Sequence, residues 1–466
     1  MPASDGQQTA ESNVLQENST SAPDLRSGRT ERPALHRIVI VGGGAGGLVL
    51  ATRLGHSLGR RKKARIALID SNLTHIWKPL LHEVAMGTID SYADDVIYLG
   101  HASAHGFEFQ QGRMDGLDRP NRKVWLAPLL DERGREVIPR RATEYDTLVI
   151  AIGGVCNDFG TPGVTEHCLY LDNPLQAQQV QRRLLYACLR AQVQAEPLRK
   201  GQLDVAIIGA GATGVELAAE LHRATRELVA YGLDRINPER DIKISLIEAA
   251  PTVLPALPPR LSEATLRELQ RLGVSVHTGE RVMEVSEQGV RCASGLFIPA
   301  EIKVWSAGVK APDFLKEIGG LETNRLNQLV VDQTMRTTRD ENIFALGDCA
   351  SCPQPGKERP VPPRAQAAYQ QAMTLAKTLR RRLNGQPAVD FVYKDYGSLV
   401  SLSYSSVGNL MGNLLGNVMI EGRIARLTYQ SLYKKHQLAL HGPIWVTLTT
   451  LINLMRRRTE PRLKLH

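Results

Sequence analysis

The stretch HRIVIVGGGAGGLVLATRL, residues 36–54, decides the fold. Ile38 to Val41 is an unbroken apolar, β-branched run, which reads as a strand. It leads straight into glycines and then into a helical pattern through Leu54. A second short strand, Ile66 to Ile69, ends at Asp70, 23 residues after Gly47. Strand, glycine turn, helix, strand and acid together form a dinucleotide-binding unit. Gly42 permits the tight turn, Gly44 lets the backbone approach a pyrophosphate, and Gly47 lets helix and strand pack closely. The helix start then presents its positive end to the phosphates, and Asp70 offers a carboxylate to ribose hydroxyls.

The same pattern returns at VAIIGAGATGVELAAEL, residues 205–221. Gly209, Gly211 and Gly214 occupy the three glycine positions, with a helix expected over Val215 to Leu228. A strand from Ile242 to Ile247 ends at Glu248, 34 residues after Gly214, so this unit carries an insertion near residues 229–240. One glycine fingerprint is weak, because such runs also make plain turns. Two, each in strand-turn-helix context and each with its acid, are strong. Glu248 suits a free 2′-hydroxyl and repels a 2′-phosphate, which favours NADH over NADPH.

Two further strands run into glycines: Tyr145 to Ile150 into Gly153-Gly154, and Lys303 to Ser306 into Gly308. Both read as chain crossings between two nucleotide-binding units. Ile343 to Leu346 is another short strand, and it ends in Gly347-Asp348, where an aspartate can reach a ribityl hydroxyl. Taken alone, that pair is more often a turn. The fold class is therefore α/β, with two tandem Rossmann-like domains.

The rest of the composition narrows the class. The 466 residues are 42% hydrophobic, which excludes collagen-like or wholly disordered chains. No charge-free apolar run reaches the roughly 20 residues of a spanning helix, which argues against a polytopic membrane protein. Six cysteines are too few for a disulfide scaffold. Residues 1–34 are polar, without the apolar core of a signal peptide and too acidic for a transit peptide, and read as a disordered leader. The chain carries +9, and nearly all of that excess lies from Arg423 onward, where only Glu460 is acidic. There Gly442-Pro443 breaks any helix, leaving residues 443–455 too short to span a bilayer. Ile444, Trp445, Leu448, Leu451, Ile452 and Met455 form an apolar face ahead of Arg456-Arg457-Arg458. That arrangement favours an interfacial segment on an anionic lipid surface over a core helix with a solvated tail. Nothing in the pattern favours nucleic acid, and the histidines show no metal spacing.

Three segments carry a specific resemblance: HIWKPLLHEVA (75–85), GDCASCPQP (347–355) followed by PPRAQAAYQQA (362–372), and SLYKKHQLALHG (431–442) with the ending PRLKLH. With the two fingerprints they resemble bacterial type II NADH dehydrogenase, the single-subunit, non-pumping NADH:quinone oxidoreductase among the two-dinucleotide-binding flavoproteins. The resemblance covers residues 36–466. It implies an FAD domain split into 35–155 and 310–395, a connecting helical segment at 156–199, an inserted NADH domain at 200–309 and a membrane-association region at 396–466. It also implies FAD as cofactor, NADH as substrate and a membrane quinone as acceptor. Hydride would pass from NADH to FAD, then two electrons and two protons to the quinone. The expected location is peripheral, on the cytoplasmic face of the bacterial inner membrane, with a homodimer left open.

Residue by residue, the resemblance places Lys78, Gly153, Asp348, Ala365 and Gln366 around FAD beside the first fingerprint and Asp70. It places Gly308 and Glu248 with the second fingerprint. The quinone motif falls on Ala365 to Gln370, with Gln366 and Gln370 on one helical face. Without the resemblance, those glutamines read as a solvated polar face. Glu216 matches a family glutamate between the nicotinamide and quinone ends, while its plain reading is an exposed acid favoured by a helix N-terminus. Sulfide:quinone oxidoreductase is the alternative enzyme, kept open by Cys168, Cys349 and Cys352. A nucleotide-binding redox sensor with little turnover is the alternative of a different class.

Overall fold

The computed structural model describes residues 35–89, 95–402, 405–412, 416–421 and 442–456, with single positions 431, 434, 437, 438, 440 and 463. The leader at 1–34, His436, His441, Arg457, Arg458 and most of the PRLKLH ending lie outside the described residues.

Two five-stranded parallel sheets dominate. In the first, the spatial order is Ile343–Ala345, Thr147–Ile150, His36–Val41, Ala64–Asp70 and Glu108–Gln111. Its central strand is flanked on one side by Thr147–Ile150, with Ile38 against Thr147, and on the other by Ala64–Asp70, with Ile38 against Ile66. Ile38, Ile40, Leu48 and Leu50 have essentially no exposure. Each such side chain contributes roughly 1.5–3 kcal/mol of burial relative to solvent. The edge strand Ile343–Ala345 comes from far downstream and pairs with Thr147–Ile150 through Leu148 and Ile343.

The second sheet runs Leu169–Tyr170, Ile302–Trp305, Val205–Ile208, Ile244–Glu248 and Ser275–Thr278. All of its strands lie in sequence between two strands of the first sheet. Its glycine-turn helix is longer than the apolar pattern suggests, spanning Ala212–Ala230. Its second strand starts at Ile244 rather than Ile242. The reason is local. Asn237 caps a short helix, Pro238–Asp241, and Asp204 then takes the Lys243 amide at 3.1 Å. This cap and helix occupy the expected insertion. The two chain crossings meet, with Val155–Cys156 pairing antiparallel with Val309–Lys310.

A helix at Pro174–Val193 precedes the second sheet, capped by Asn173 accepting from the Gln176 amide. The short helix Leu81–Ala85 packs against both this helix and Ala212–Ala230. Further on, an antiparallel sheet of Gly397–Leu402, Ser405–Gly412 and Gly416–Glu421 lays its first strand on Ala212–Ala230. The helix Pro443–Arg456 follows Gly442, where φ is +78°. None of the described helices is long and apolar enough to cross a membrane. In this helix Trp445, Leu448 and Ile452 are exposed and Val446 is buried, so three members of the expected apolar face point outward.

Candidate functional site

Both glycine turns are built as the spacing requires. Gly42 and Gly209 each sit at φ +103°, and a Cβ on either would press into backbone at under 3 Å. A Cβ on Gly47 would lie 1.8 Å from the Gly42 carbonyl, and one on Gly214 would lie 1.9 Å from the Gly209 carbonyl. Added atoms at Gly44 and Gly211 meet nothing within 4 Å. The turn and packing glycines are therefore fixed by the chain itself, and the middle glycine of each turn faces open space.

The acids sit closer to their own loops than a purely ligand-directed role suggests. Asp70 accepts from the Gly43 amide at 2.6 Å and from the Asn72 amide at 2.8 Å. Glu248 accepts from Ala210 at 2.7 Å and from Ala250 at 2.9 Å. Each acid thus anchors the residue just after the first glycine, the same relation in both units. Burial pushes the Asp70 carboxyl up, partly offset by these hydrogen bonds. Tyr98, which the sequence reading did not single out, donates to the Gly43 carbonyl at 2.8 Å. Ser306 does the comparable work in the second unit, donating to Ile208 and Gly209 at 3.0 Å.

Around the first turn the remaining residues converge. A Cβ on Gly46 would strike Leu346 and the Ala368 carbonyl, so the strand end and the helix Ala365–Arg382 close directly on the fingerprint. The Gly347 amide donates to Gln371 at 2.8 Å. Asp348 lies in a short 3₁₀ turn, and Gly154 packs against its Cβ. Its carboxylate has no hydrogen-bond partner among the described residues, and burial pushes its pKa up while the Lys78 charge opposes that. Lys78 donates to the Gly154 carbonyl at 2.8 Å and to Asp172 at 3.1 Å. Gly153 adopts φ +85° with nothing near its missing side chain. An open middle glycine, a half-buried partnerless acid and an adjacent helix start form a cradle that FAD fits.

The two glutamines do share a face, and that face is occupied. Gln366 donates to Asp395 at 3.2 Å and to the Gly397 carbonyl at 3.1 Å, and Gln370 brackets Lys394 with bonds of 2.8 and 3.1 Å. They tie the helix to the segment entering the C-terminal sheet. Ala365 begins that helix after Arg364, whose side chain makes no cap. Gly308, at φ +66°, packs on Phe159 at the crossing rather than in the second turn itself.

Glu216 departs from its plain reading. It is buried, takes the Ser401 amide on Oε1 at 3.0 Å, and has His82 Nδ1 3.4 Å from Oε2. His82 is 1% exposed, its Nε2 has no hydrogen bond, and burial drives its pKa down to about 4. Its spacing to the other histidines carries no metal pattern. Only its place within HIWKPLLHEVA could have flagged it.

Five of the six cysteines are buried, and Cys156 is half-buried. All six are free, and Cys349 and Cys352 are buried. Burial pushes both thiols up to about 11 and Cys168 to about 12, opposite to what a reactive thiolate needs. Among the described residues no group of three or more His, Cys, Asp or Glu side chains is placed to hold a metal ion.

A family model for pyridine nucleotide-disulphide oxidoreductases matches residues 36–372. A Haemophilus influenzae protein named type II NADH:quinone oxidoreductase is 42% identical over 93% of this chain and 100% of its own length. The chain belongs to the type II NADH:quinone oxidoreductase family. A Staphylococcus aureus member of the same name is 29% identical over 81% of the chain and 90% of its own length. Among solved structures, Plasmodium falciparum NDH2 in complex with NADH superposes with TM-score 0.77 at 18% identity, covering 92% of this chain and 99% of that one. The sulfide:quinone oxidoreductase of Aquifex aeolicus also shares the fold, with TM-score 0.67 at 18% identity, covering 88% and 92% of the two chains. The type II assignment thus rests on sequence, and the fold alone is common to both enzyme classes.

Proposed function

We propose that this chain is a peripheral membrane NADH:quinone oxidoreductase that pumps no protons. NADH, a quinone and one solvent proton become NAD⁺ and the quinol. FAD, when bound, supplies the hydride acceptor and the two-electron relay between the two substrates. One observation carries the reading: two glycine cradles, each anchored by its own acid, lie on sheets joined by the Val155–Cys156 and Val309–Lys310 pair.

Within that reading, Gly42, Gly44, Gly47 and Asp70 hold the FAD pyrophosphate and ribose, and Asp348 accepts from the ribityl chain. Lys78, Gly153, Ala365 and Gln366 border the ring system, where the helix start stabilises negative charge. Gly209, Gly211, Gly214 and Glu248 hold NADH, with Gly308 shaping the crossing beside it. Gln366 and Gln370 fix the wall of the quinone site through their bonds to residues 394–397. Glu216 stands between the NADH unit and the C-terminal sheet, where it can hold or pass a proton. The FAD-binding parts are 35–155 and 310–395, and the NADH-binding part is 200–309. Residues 396–466 carry the lipid-facing helix, on the cytoplasmic face of the inner membrane.

Anaerobic mixing with NADH, followed by quinone, tests the proposal. Bleaching of flavin absorbance by NADH and rapid recovery with quinone are expected. Bleaching by sulfide instead of NADH would overturn it. Nucleotide binding without turnover would make the chain a sensor.

A further inference from the structure

The helix Pro174–Val193 has two opposed apolar faces. Ala177, Val180, Leu184, Ala187, Cys188 and Ala191 are buried against the body of the protein. On the opposite side Leu175, Tyr186, Leu189 and Val193 are exposed, Leu175 by 64% and Val193 by 77%. At 100° per residue these four fall within one narrow stripe, which runs about 27 Å along the axis. A water-facing helix normally presents charges there. This one contains no Asp or Glu in 20 residues and three arginines. Arg190 is engaged by Glu301. Arg182, which lies within the stripe between Leu175 and Tyr186, and Arg183 beside it are exposed and make no ion pair among the described residues.

Exposed apolar residues flanked by uncompensated arginines match an anionic lipid surface, where the side chains enter the headgroup boundary and the guanidiniums meet phosphates. A protein partner of ordinary acidic character would account for the arginines but not for four large apolar side chains exposed on the same side. The position is consistent with this. Leu81–Ala85 bridges Pro174–Val193 to Ala212–Ala230, and the C-terminal sheet packs on that same helix. We infer that the Leu175–Val193 face is a second lipid-contacting surface, separate in sequence from the helix Pro443–Arg456. The inference rests on the peripheral-membrane reading above.

The test uses the full chain with Val193→Cys carrying an environment-sensitive fluorophore, mixed with phosphatidylglycerol-containing or pure phosphatidylcholine vesicles. Unchanged NADH oxidation by a water-soluble acceptor checks the fold. A blue shift with anionic vesicles alone is expected, and Arg182→Gln/Arg183→Gln should weaken vesicle binding roughly tenfold or more. Pelleting with the vesicles but no shift would overturn the second surface and leave the C-terminal helix as the contact. Failure to pellet at all would overturn the membrane reading itself. A shift that grows with protein concentration in the absence of vesicles would assign the face to a second copy and overturn the inference.

Discussion

His82 Nδ1 lies 3.4 Å from Glu216 Oε2, with both side chains buried where three elements meet: Leu81–Ala85, Ala212–Ala230 and Gly397–Leu402. A carboxylate held there by Ser401 and a neutral imidazole is fixed in position and shielded from water. It therefore suits proton handling more than surface solvation.

Replacement Glu216→Gln keeps the shape and the Ser401 contact while removing the titratable group. Quinone-dependent turnover should fall by about 10²-fold, within the range for a lost proton-transfer group. Flavin bleaching by NADH in a single turnover should stay near the wild-type rate. Equal loss in both half-reactions would place Glu216 in packing alone.

The pH dependence of stability follows from His82. Its folded pKa, near 4, is below the unfolded value of 6.5. Between those values the unfolded chain binds more protons, so stability is intact above about pH 6.5 and falls as pH drops toward 4. The contribution is of the order of 3 kcal/mol for a group this buried. His222 is lowered by burial in the same way, so wild type and His82→Asn should be compared directly. Denaturant midpoints at pH 7 and pH 5 should show a smaller drop in the variant. Equal drops would show that His82 is charged in the folded protein.

The glycines separate fold from ligand. Gly44→Ala adds a methyl where nothing lies within 4 Å, so the protein should fold with a normal circular dichroism spectrum yet retain far less FAD. Gly47→Ala collides with the Gly42 carbonyl and should reduce stability by several kcal/mol, comparable to severe overpacking. Full flavin content in Gly44→Ala would move the pyrophosphate elsewhere.

Glu248→Gln should narrow the preference for NADH over NADPH by tenfold or more in kcat/KM, because the 2′-phosphate no longer meets a negative charge. Glu248 takes the Ala210 amide on Oε2 and the Ala250 amide on Oε1, so glutamine, with one acceptor oxygen, keeps one of the two bonds. An unchanged ratio removes this acid from cofactor choice.

The nucleotide units were legible because backbone geometry leaves the sequence little freedom: Gly42 and Gly209 need φ +103°, and Gly47 and Gly214 admit no Cβ. Strand ends shifted by one or two residues, since caps such as Asn237 and bonds such as Asp204 to Lys243 decide them and apolar periodicity does not record these. The environment of Glu216 was not legible. Its burial depends on residues 81–85 and 397–402, which are distant in sequence and carry no pattern that points to position 216. Likewise the glutamine pair shared its expected face, but what it bonds, residues 394–397, could not be read from a four-residue spacing.

The edge strand Ile343–Ala345 has a consequence for biogenesis. The second sheet draws only on strands between Leu169 and Thr278 together with Ile302–Trp305, so it can close as soon as that region leaves the ribosome. The first sheet begins earlier but lacks its outer strand until Ile343 emerges and finds Leu148. Long-range closure of this kind is slow, and domains fold as units during synthesis. The second sheet therefore closes first, and the first sheet, begun earlier, is completed around it; on the proposed assignment of FAD to the first sheet, cofactor loading becomes a late step of assembly.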